Sequence, residues 1–460
     1  MHKVTINGKV YFAEGGELLS VFLQKNGGNI PHPCAGKGIC KKCLVTVNGK
    51  EELSCQYTIH SDIDVFTKEI PSVHSFSDTV VSNKKTENMC FALDIGTTTL
   101  ALALVSLDDK SIVDVITKTN PQITYGADVI SRIDFCAKND QAILKNTLIK
   151  NLNAMIESLD ISEPLDIFVS GNSTMLHIFL GEDCTSMGQS PYTPAFTASQ
   201  VRDAADVGII GAKRVVTLPC ISAFVGADIV AGINYVGAPE NKFSLLVDLG
   251  TNAEIALFSK DKILCTSAAA GPCFEGANIT CGMSAVDGAV FAYEDGEVQT
   301  INSKPPEGIC GTGLIDIIAE LLKKGVIDNT GYMECENFFL SDNVYLNKKD
   351  IRQYQLAKSA VYSGIACLLK AAEISFEDIE KLYVSGGFSA NINIENAIST
   401  GLLPKELKEK CISINNSSLL GTVKYICEQN DLSHITAIAE YIDLSENSDF
   451  SHKFIENMIL

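Results

Sequence analysis

The sequence is poor in arginine and contains no long hydrophobic run. Arginine occurs at only four of 460 positions, and Asp plus Glu outnumber Lys plus Arg by 56 to 36, which gives a formal charge of -20. Nucleic acid is therefore excluded as a partner, because phosphate contacts need clustered cations. A membrane span would need a run of about 18 apolar residues, and the sequence has none. The first residues also lack the apolar core of a signal peptide. We expect a cytoplasmic protein without a membrane partner.

Two common nucleotide-binding patterns are also absent. The sequence contains neither the Walker A pattern of P-loop enzymes nor the glycine pattern of Rossmann folds, so neither class has support. What the chain does have is 46% hydrophobic and 20% charged residues, as in ordinary globular proteins. Its length is enough for about three domains with sizeable cores.

Cysteine is abundant, and four of the sixteen cysteines lie close together near the N-terminus. Their spacing is C-x5-C-x2-C-x11-C, and they are Cys34, Cys40, Cys43 and Cys55. Three thiolates in one loop and a fourth from a later turn are typical of a 2Fe–2S cluster, and Gly36 and Gly38 allow the backbone to wrap closely around it. Structural zinc, which usually takes two C-x2-C pairs, and free thiols remain alternatives. The other cysteines are expected to be small buried hydrophobes.

The residues around these cysteines predict a small β-grasp ferredoxin. Residues 3–12 predict a hairpin about Asn7-Gly8, because Asn-Gly between alternating β-type residues is a strong hairpin signal. Residues 14–27 place apolar side chains at helical spacing, and residues 44–47 predict another strand. Residues 67–88, rich in Ser, Thr and Asn, predict a linker.

An internal repeat follows the linker. LDIGTTTLALAL from Leu93 and VDLGTNAEIALF from Val247 superpose at an offset of 154 residues. In each, an Asp-x-Gly-Thr sequence lies between two apolar strands and predicts the tight turn of a hairpin. A single long period indicates two lobes of similar fold rather than a solenoid.

Paired turns of this kind suit nucleotide phosphates. Glycine lets backbone amides approach phosphate oxygens, threonine donates hydrogen bonds, and aspartate holds Mg2+ directly or through water. The predicted phosphate-binding residues are Gly96, Thr97, Thr98, Gly250, Thr251 and Asn252, with Asp94 and Asp248 as catalytic carboxylates. A single such turn is equally a structural feature, so the prediction depends on the pair.

The order of the motifs resembles the actin-like ATPase superfamily, which includes sugar and acetate kinases and heat-shock chaperones. The matching segments are 94–98, 226–232, 248–252, 383–388 and 417–425. The resemblance implies that Gly386 and Gly387 bind adenosine. It also implies that Asp228 faces the γ-phosphate, where it orients the attacking water or binds Mg2+ through water. Asn172 and Ser173 either line this cleft or cap a helix.

The four-cysteine module joined to such an ATPase resembles the ATP-dependent reductive activators of corrinoid proteins. Three more segments share the resemblance: YGADVISRI from Tyr125, AAAGPCFEGANITCGM from Ala268 and ICGTGLID from Ile309. It implies an α/β protein in which a β-grasp 2Fe–2S ferredoxin domain precedes a two-lobed actin-like ATPase of duplicated ribonuclease H-like lobes. In anaerobic metabolism, such activators pass one electron from the cluster to Co(II) of a corrinoid protein in a methyltransferase system. Co(I) is regenerated with ATP and Mg2+ as cofactors.

The expected domain organisation follows from these motifs. It is a ferredoxin domain at 1–66, a linker at 67–88, lobe 1 at 89–240, lobe 2 at 241–410 and a segment at 411–460 that returns to lobe 1. The resemblance also implies a low-potential electron donor and leaves a homodimer open. Two other functions stay open as well, namely an ATP-coupled electron donor to another low-potential enzyme and a small-molecule kinase.

Overall fold

The computed structural model describes residues 1–26, 30, 38, 43–67, 86–387 and 391–460. Several predicted features lie outside the described residues, namely Cys34, Cys40, Gly36, Phe388 and positions 68–85 of the linker. Within the described ranges, no helix has both the length and the hydrophobicity needed to cross a lipid bilayer.

The N-terminal part is a five-stranded sheet with one helix packed on it. Its elements are β1 (His2–Ile6), β2 (Lys9–Ala13), α1 (Leu19–Lys25), β3 (Leu44–Val47), β4 (Lys50–Leu53) and β5 (Ile63–Phe66). The strand order is β2-β1-β5-β3-β4, with β5 parallel to β1. The predicted hairpin is confirmed, since Asn7 and Gly8 have φ values of 45° and 85° between paired strands. The sequence does not predict β4, because its residues KEEL are largely exposed and lack apolar alternation.

The first large sheet has six strands in the order β10-β11-β9-β6-β7-β8. The strands are β6 (Met89–Ile95), β7 (Thr99–Ser106), β8 (Ser111–Thr119), β9 (Leu165–Gly171), β10 (Val201–Asp203) and β11 (Ala212–Thr217). The helices in this part are α2 (Val129–Lys138), α3 (Ala142–Ser158), α4 (Ser173–Leu180), α5 (Ala204–Val207) and α6 (Ala227–Val236). Helices α3 and α4 share one core with the apolar face of β6 that carries Phe91 and Leu93.

The second large sheet has the order β21-β20-β12-β13-β14-β22, and its first five strands repeat the topology of β11-β9-β6-β7-β8. Its strands are β12 (Phe243–Leu249), β13 (Ala253–Phe258), β14 (Ile263–Ala268), β20 (Ile379–Ser385), β21 (Cys411–Ser413) and β22 (Ala439–Tyr441). Smaller sheets contain β15 (Ala289–Glu294), β16 (Glu297–Thr300), β17 (Gly308–Ile309), β18 (Asn337–Phe339) and β19 (Tyr345–Asn347). The helices are α7 (Gly311–Lys323), α8 (Lys348–Ala371), α9 (Ile394–Ser399), α10 (Ser417–Glu428), α11 (Ser433–Ile438) and α12 (Ser448–Glu456).

The duplication extends to single residues at the strand ends. In the first large sheet Asp94 pairs with Ser170 of the parallel strand β9, and in the second Asp248 pairs with Ser385 of β20. A glycine with positive φ follows each serine, because a side chain there would collide with a carbonyl of the neighbouring strand. The tripeptide Val-Ser-Gly therefore marks the same corner in both lobes.

Helices α6 and α10 pack against each other between the two large sheets. Their backbones approach closely, because a Cβ on Gly421 would collide with the Ala231 carbonyl oxygen, and the Asn234 amide donates to the Gly421 carbonyl at 3.0 Å. Both helices begin within or next to the segments 226–232 and 417–425, which the sequence analysis matched to the actin-like superfamily. Helix α10 covers the face of the first sheet opposite to α3, with Leu419 and Val423 in that core.

The C-terminal segment differs from the prediction that 411–460 returns to lobe 1. Helices α10 and α11 do pack on lobe 1, but β21 pairs with β20, β22 pairs with β14, and α12 packs on α8. The physical reason is that β20 and β14 would otherwise be edge strands with unpaired backbone groups. Strands β21 and β22 form hydrogen bonds with these groups. The segment therefore contributes to both lobes.

Candidate functional site

A cleft between the two large sheets brings together the residues predicted to bind phosphate and adenosine. The β6–β7 turn, the β12–β13 turn and the first residues of α6 and α10 meet there. All eleven predicted residues of the ATPase part line the cleft: Asp94, Gly96, Thr97, Thr98, Asp228, Asp248, Gly250, Thr251, Asn252, Gly386 and Gly387. Sequence reasoning missed five others, which are Thr99, Glu254, Glu275, Asn416 and Ser418.

The two phosphate-type turns face each other across the cleft. Thr98 Oγ1 lies 3.5 Å from Thr251 Oγ1, although the two residues are 153 positions apart. The turns differ in length, because the Gly96 amide donates to the Thr99 carbonyl whereas the Gly250 amide donates to the Asn252 carbonyl, both at 3.0 Å. The first turn is thus one residue longer than the second.

This difference in length gives the lobes different side chains behind their aspartates. The strand register places Ala101 opposite Asp94 in lobe 1 and Glu254 opposite Asp248 in lobe 2. Directly opposite residues of an antiparallel pair lie on the same face of the sheet. Lobe 2 therefore presents two carboxylates where lobe 1 presents one.

Asp94 is buried and both of its carboxylate oxygens accept hydrogen bonds. Asn416 Nδ2 donates to Oδ2 at 2.6 Å, and Ser418 Oγ donates to Oδ1 at 2.8 Å. Burial raises the pKa of Asp94, and these two bonds oppose the rise. Asp94 therefore joins the first phosphate-type turn to the start of α10.

Three acidic side chains lie close together on the other side of the cleft. Burial, with the charge of Asp248 as the next cause, raises the pKa of Asp228 to about 7. Burial and then the charge of Asp94 raise the pKa of Asp248 to about 7. The pKa of Glu254 is well above its usual range for the same reasons, burial first and its two acidic neighbours next. Carboxylates this close together resist being ionised at once unless a cation shares the site.

Glu275 lies between the two turns, at the end of a short helix Pro272–Glu275 in the segment AAAGPCFEGANITCGM. The Thr251 hydroxyl donates to its Oε2. Burial raises the pKa of Glu275, while hydrogen bonds from Thr251 and Thr98 and the charge of Arg132 oppose the rise. The Glu275 carboxylate therefore accepts hydrogen bonds from a threonine hydroxyl of each turn. The sequence signalled the segment but not this residue.

The two glycines after β20 have different structural requirements. Gly386 has φ 126°, and a Cβ there would collide with the Leu249 carbonyl oxygen. A Cβ on Gly387 would have no atom within 4 Å, so the space beside it is open. Gly386 is needed by the fold, whereas Gly387 leaves room for a ligand.

Asn172 both caps a helix and lines the cleft. Its Oδ1 accepts from the Met175 amide at 2.9 Å, which caps α4, and its Nδ2 donates to Thr97 Oγ1 at 2.9 Å. The helix cap therefore also orients a threonine of the first turn.

The N-terminal module brings two of the predicted cluster ligands together. The β3–β4 hairpin pairs Leu44 with Leu53, which places Cys43 and Cys55 side by side with their Sγ atoms 3.2 Å apart. Both thiols are buried and free, since a disulfide would need about 2.05 Å. Gly38 has φ 72°, and a Cβ there would press on the Gln56 side chain at 3.1 Å. Two converging thiols against a close-packed glycine fit a 2Fe–2S cluster.

Elsewhere in the described residues, no group of three His, Cys, Asp or Glu side chains is placed to hold a metal ion. The acidic residues of the cleft therefore do not form a complete metal site by themselves. Mg2+ in such sites is usually held by one or two carboxylates together with substrate phosphates and water.

Fold and site together define a β-grasp ferredoxin module joined to a two-lobed actin-like ATPase. Three family models match consecutive parts of the chain. They are a 2Fe-2S iron-sulfur cluster binding domain at residues 1–69, the RACo middle region at 89–240, and the C-terminal domain of RACo, the ASKHA domain, at 242–460. The chain belongs to the RACo family, the reductive activators that the sequence analysis identified by resemblance. The predicted fold class is confirmed.

Two curated proteins support this assignment, and one solved structure supports the fold. The corrinoid activation enzyme RamQ of Eubacterium limosum is 28% identical, over 92% of this chain and 93% of that protein. A Co(II) methylated amine-specific corrinoid protein reductase of Methanosarcina barkeri is 28% identical, over 76% of this chain and 72% of that protein. The solved structure of a reductive activator for corrinoid, iron-sulfur protein has a TM-score of 0.74 at 24% identity and covers 100% of this chain and 98% of its own.

Proposed function

We propose that this protein is an ATP-dependent reductive activator that passes one electron from a 2Fe–2S cluster to Co(II) of a corrinoid protein and regenerates Co(I). The supporting observation is that one chain holds a converging pair of buried thiols and a cleft in which two phosphate-type turns lie 3.5 Å apart at their threonines. Both similar curated proteins are named for action on corrinoid proteins.

On the electron-carrying side, we propose that Cys34, Cys40, Cys43 and Cys55 hold the cluster. The cluster supplies a one-electron carrier when bound. Cys43 is 1% and Cys55 is 5% exposed, so the hairpin that carries them shields this side of the site from water. The chain itself thus provides thiol ligands and exclusion of solvent.

On the nucleotide side, the two turns bind the phosphates and the Gly387 opening accepts the adenosine. Thr97 offers a hydroxyl, Glu275 accepts from the hydroxyls of Thr98 and Thr251, and the adjacent glycines let backbone amides come close. Mg2+ is proposed to bind through the phosphates and water next to Asp228 and Asp248, where it would offset their mutual repulsion. Asp228 is then placed to orient the attacking water.

Nucleotide coupling answers an energetic need. If the acceptor potential lies about 250 mV below that of the cluster, transfer of one electron is uphill by about 6 kcal/mol. Coupling to ATP offsets this cost only if the ATP-bound and ADP-bound forms of the protein interact differently with the partner. Two lobes joined by α6 and α10 provide an element with open and closed arrangements.

The test is an anaerobic assay with a Co(II) corrinoid protein. The reduced protein is mixed with it, and the Co(I) absorbance is followed with and without ATP. We expect Co(I) to form only with ATP, and Cys55→Ser to abolish its formation while ATP hydrolysis continues. Cobalt reduction that is indifferent to ATP, or that survives Cys55→Ser, would contradict the proposal.

Two variants make the assay specific. Asp248→Asn should abolish ATP-dependent reduction and leave the cluster spectrum unchanged. Cys335→Ser, at an exposed cysteine, is the matched control and should change neither signal. Phosphorylation of an added metabolite without cobalt reduction would instead favour the kinase alternative.

Three further proposals concern the surroundings of the protein. We propose a low-potential donor that reloads the cluster, a homodimer as the assembly, and a cytoplasmic location. The last is supported by the abundance of free thiols among the described cysteines, which suits a reducing compartment.

A further inference from the structure

Two side chains behind the first phosphate-type turn have no part in the function proposed so far. Arg132 lies on α2, in the segment YGADVISRI, and is completely buried. Its Nη2 donates to the Thr97 carbonyl at 2.5 Å. Asn120 donates from Nδ2 to the Gly96 carbonyl at 2.8 Å and from its backbone amide to the Thr98 carbonyl at 2.7 Å. Three successive carbonyls of the turn are therefore bonded from the side of Asn120 and Arg132.

This arrangement determines where the amides of the turn point. In a planar trans peptide the carbonyl and the following N–H point in opposite directions. Because the carbonyls of Gly96 and Thr97 face Asn120 and Arg132, the amides of Thr97 and Thr98 face the other way. That direction is the cleft, which both threonines line. The turn is thus held ready to donate to an anion.

The charge of Arg132 has no carboxylate bonded to it. Its other acceptors are Gln122 Oε1 at 3.2 Å, the Gly126 carbonyl at 3.0 Å and Met175 Sδ at 3.0 Å. All are neutral, and among the described residues Arg132 forms no ion pair. Burial lowers the pKa of Arg132 to about 9, and the charges of Asp128 and Glu275 oppose the fall, so the side chain is still charged at neutral pH.

A buried cation whose hydrogen-bond acceptors are all neutral is costly, and the carboxylates of Asp128 and Glu275 compensate its burial only in part, so a further anion would stabilise it. The cleft also needs a positive charge if it is to bind phosphate, because the carboxylates of Asp94, Asp248 and Glu275 repel a polyphosphate. A fixed positive charge directly behind the turn offsets this repulsion. Arginine suits the position because its planar fork reaches several acceptors at once.

We infer that Arg132 is a positioning residue for the phosphate groups of the nucleotide, holding the Thr97 carbonyl and supplying the positive charge that favours a polyphosphate over uncharged adenosine. The inference rests on the nucleotide site proposed above and adds the residue that gives the site its preference for phosphate.

Binding measurements on the full chain test it. Titration calorimetry with ATP, ADP and adenosine compares the wild type with Arg132→Met and Arg132→Lys. For Arg132→Met we expect ATP and ADP to bind about 10- to 100-fold more weakly, the usual range for a hydrogen bond to a charged group, while adenosine binding stays within about twofold. Arg132→Lys keeps the charge with fewer donors and should fall in between. Arg214→Met, which removes an exposed ion pair with Asp166, is the matched control and should bind all three as the wild type does.

A second variant covers the case in which Arg132→Met does not fold, as judged by circular dichroism and the cluster absorbance. Gln122→Glu leaves the arginine and its bond to Thr97 in place but puts a carboxylate against the guanidinium. It should weaken ATP binding selectively over adenosine, because the positive charge is then compensated.

The outcomes separate the two proposals. If the wild type binds ATP but neither variant changes the ratio of ATP to adenosine affinity, the inference about Arg132 is wrong and the nucleotide site stands. An equal loss of ATP and adenosine binding would also overturn it, because the residue would then be only structural. Failure of the wild type to bind ATP would contradict the proposed function itself.

Discussion

Ser417 and Ser418 are neighbours in the chain, yet their hydroxyls bond to different lobes. Ser417 Oγ lies 2.8 Å from Ser385 Oγ of the second large sheet, and Ser418 Oγ lies 2.8 Å from Ser170 Oγ of the first. These sheet serines are the register partners of Asp248 and Asp94. The first turn of α10 therefore joins the two halves of the cleft through a pair of equivalent hydrogen bonds.

The first prediction concerns Ser418→Ala. The change removes the bonds to Asp94 and Ser170 inside a buried network, so the free energy of unfolding should fall by about 1–3 kcal/mol. Urea unfolding followed by circular dichroism measures it. Ser399→Ala, at an exposed serine at the end of α9, is the control and should be nearly neutral. An equal effect of the two changes would contradict this account of the network.

The second prediction compares two adjacent glycines. Gly387→Ala adds a methyl group to open space, so the protein should fold normally but bind ATP at least about tenfold more weakly, because the methyl group lies in the proposed adenosine site. Gly386→Ala should impair folding, since its Cβ would collide with the Leu249 carbonyl and φ is 126°. Soluble yield, circular dichroism and ATP titration distinguish the two. Normal ATP affinity in Gly387→Ala would place the adenosine elsewhere.

The third prediction is that the cluster and the nucleotide site are separable. Removal of iron by a chelator, or Cys43→Ser, should abolish the visible absorbance and lower the unfolding temperature of the N-terminal module, because bound metal stabilises the folded form. The affinity for ATP should stay unchanged. Cys281→Ser, at a partly buried cysteine of lobe 2, controls for the loss of a thiol. Joint loss of both functions would show that the modules depend on each other.

The fourth prediction concerns the pH dependence of stability through His177. Its Nδ1 is 2.7 Å from the Ser173 carbonyl, and its Nε2 accepts from the Ala195 amide at 3.0 Å, so the neutral ring is the form that fits. Burial lowers the pKa of His177 below its usual 6.5. The unfolded chain therefore binds the proton more readily, and stability is lost as the pH falls from about 6.5 toward the folded value.

The measurement is the free energy of unfolding of the wild type and of His177→Gln at pH 8.0 and at pH 5.5. Because glutamine does not titrate, the wild type should lose more stability than the variant, by up to about 1.4 kcal/mol at pH 5.5, one unit below the usual pKa of histidine. Parallel losses in the two proteins would show that the protonation of His177 does not contribute.

The features that could be predicted from the sequence are those with short-range signals. The Asn7-Gly8 hairpin and the two Asp-x-Gly-Thr turns need only local chemistry, so their residues identify them. The bonds that organise the cleft are different, because Arg132 reaches Thr97 over 35 positions and Asn416 reaches Asp94 over 322. Such pairs leave no pattern within a single segment.

One longer-range relationship did have a signal in the sequence. Val-Ser-Gly occurs at residues 169–171 and again at 384–386, and the structure places both at the same corner of their sheets. The sequence analysis used only the neighbouring Asn172 and Ser173, as cleft lining or helix cap, and Gly386 and Gly387, as the adenosine site. Aligning the two Val-Ser-Gly segments would have identified Ser170 and Ser385 as equivalents. Glu254 gave no such signal, because its position depends on one turn being a residue shorter.

Helix α10, which covers one face of the first large sheet, lies more than 300 residues after β6 in the chain. During synthesis, the face of this sheet that carries Ala92 and Ala103 has no cover until Leu419 and Val423 have been made. Domains otherwise tend to fold in the order in which they are synthesised. The lobe that is made first is therefore completed only after most of the second lobe has been made, and a ribosome that stops within lobe 2 leaves behind a chain with an exposed apolar sheet.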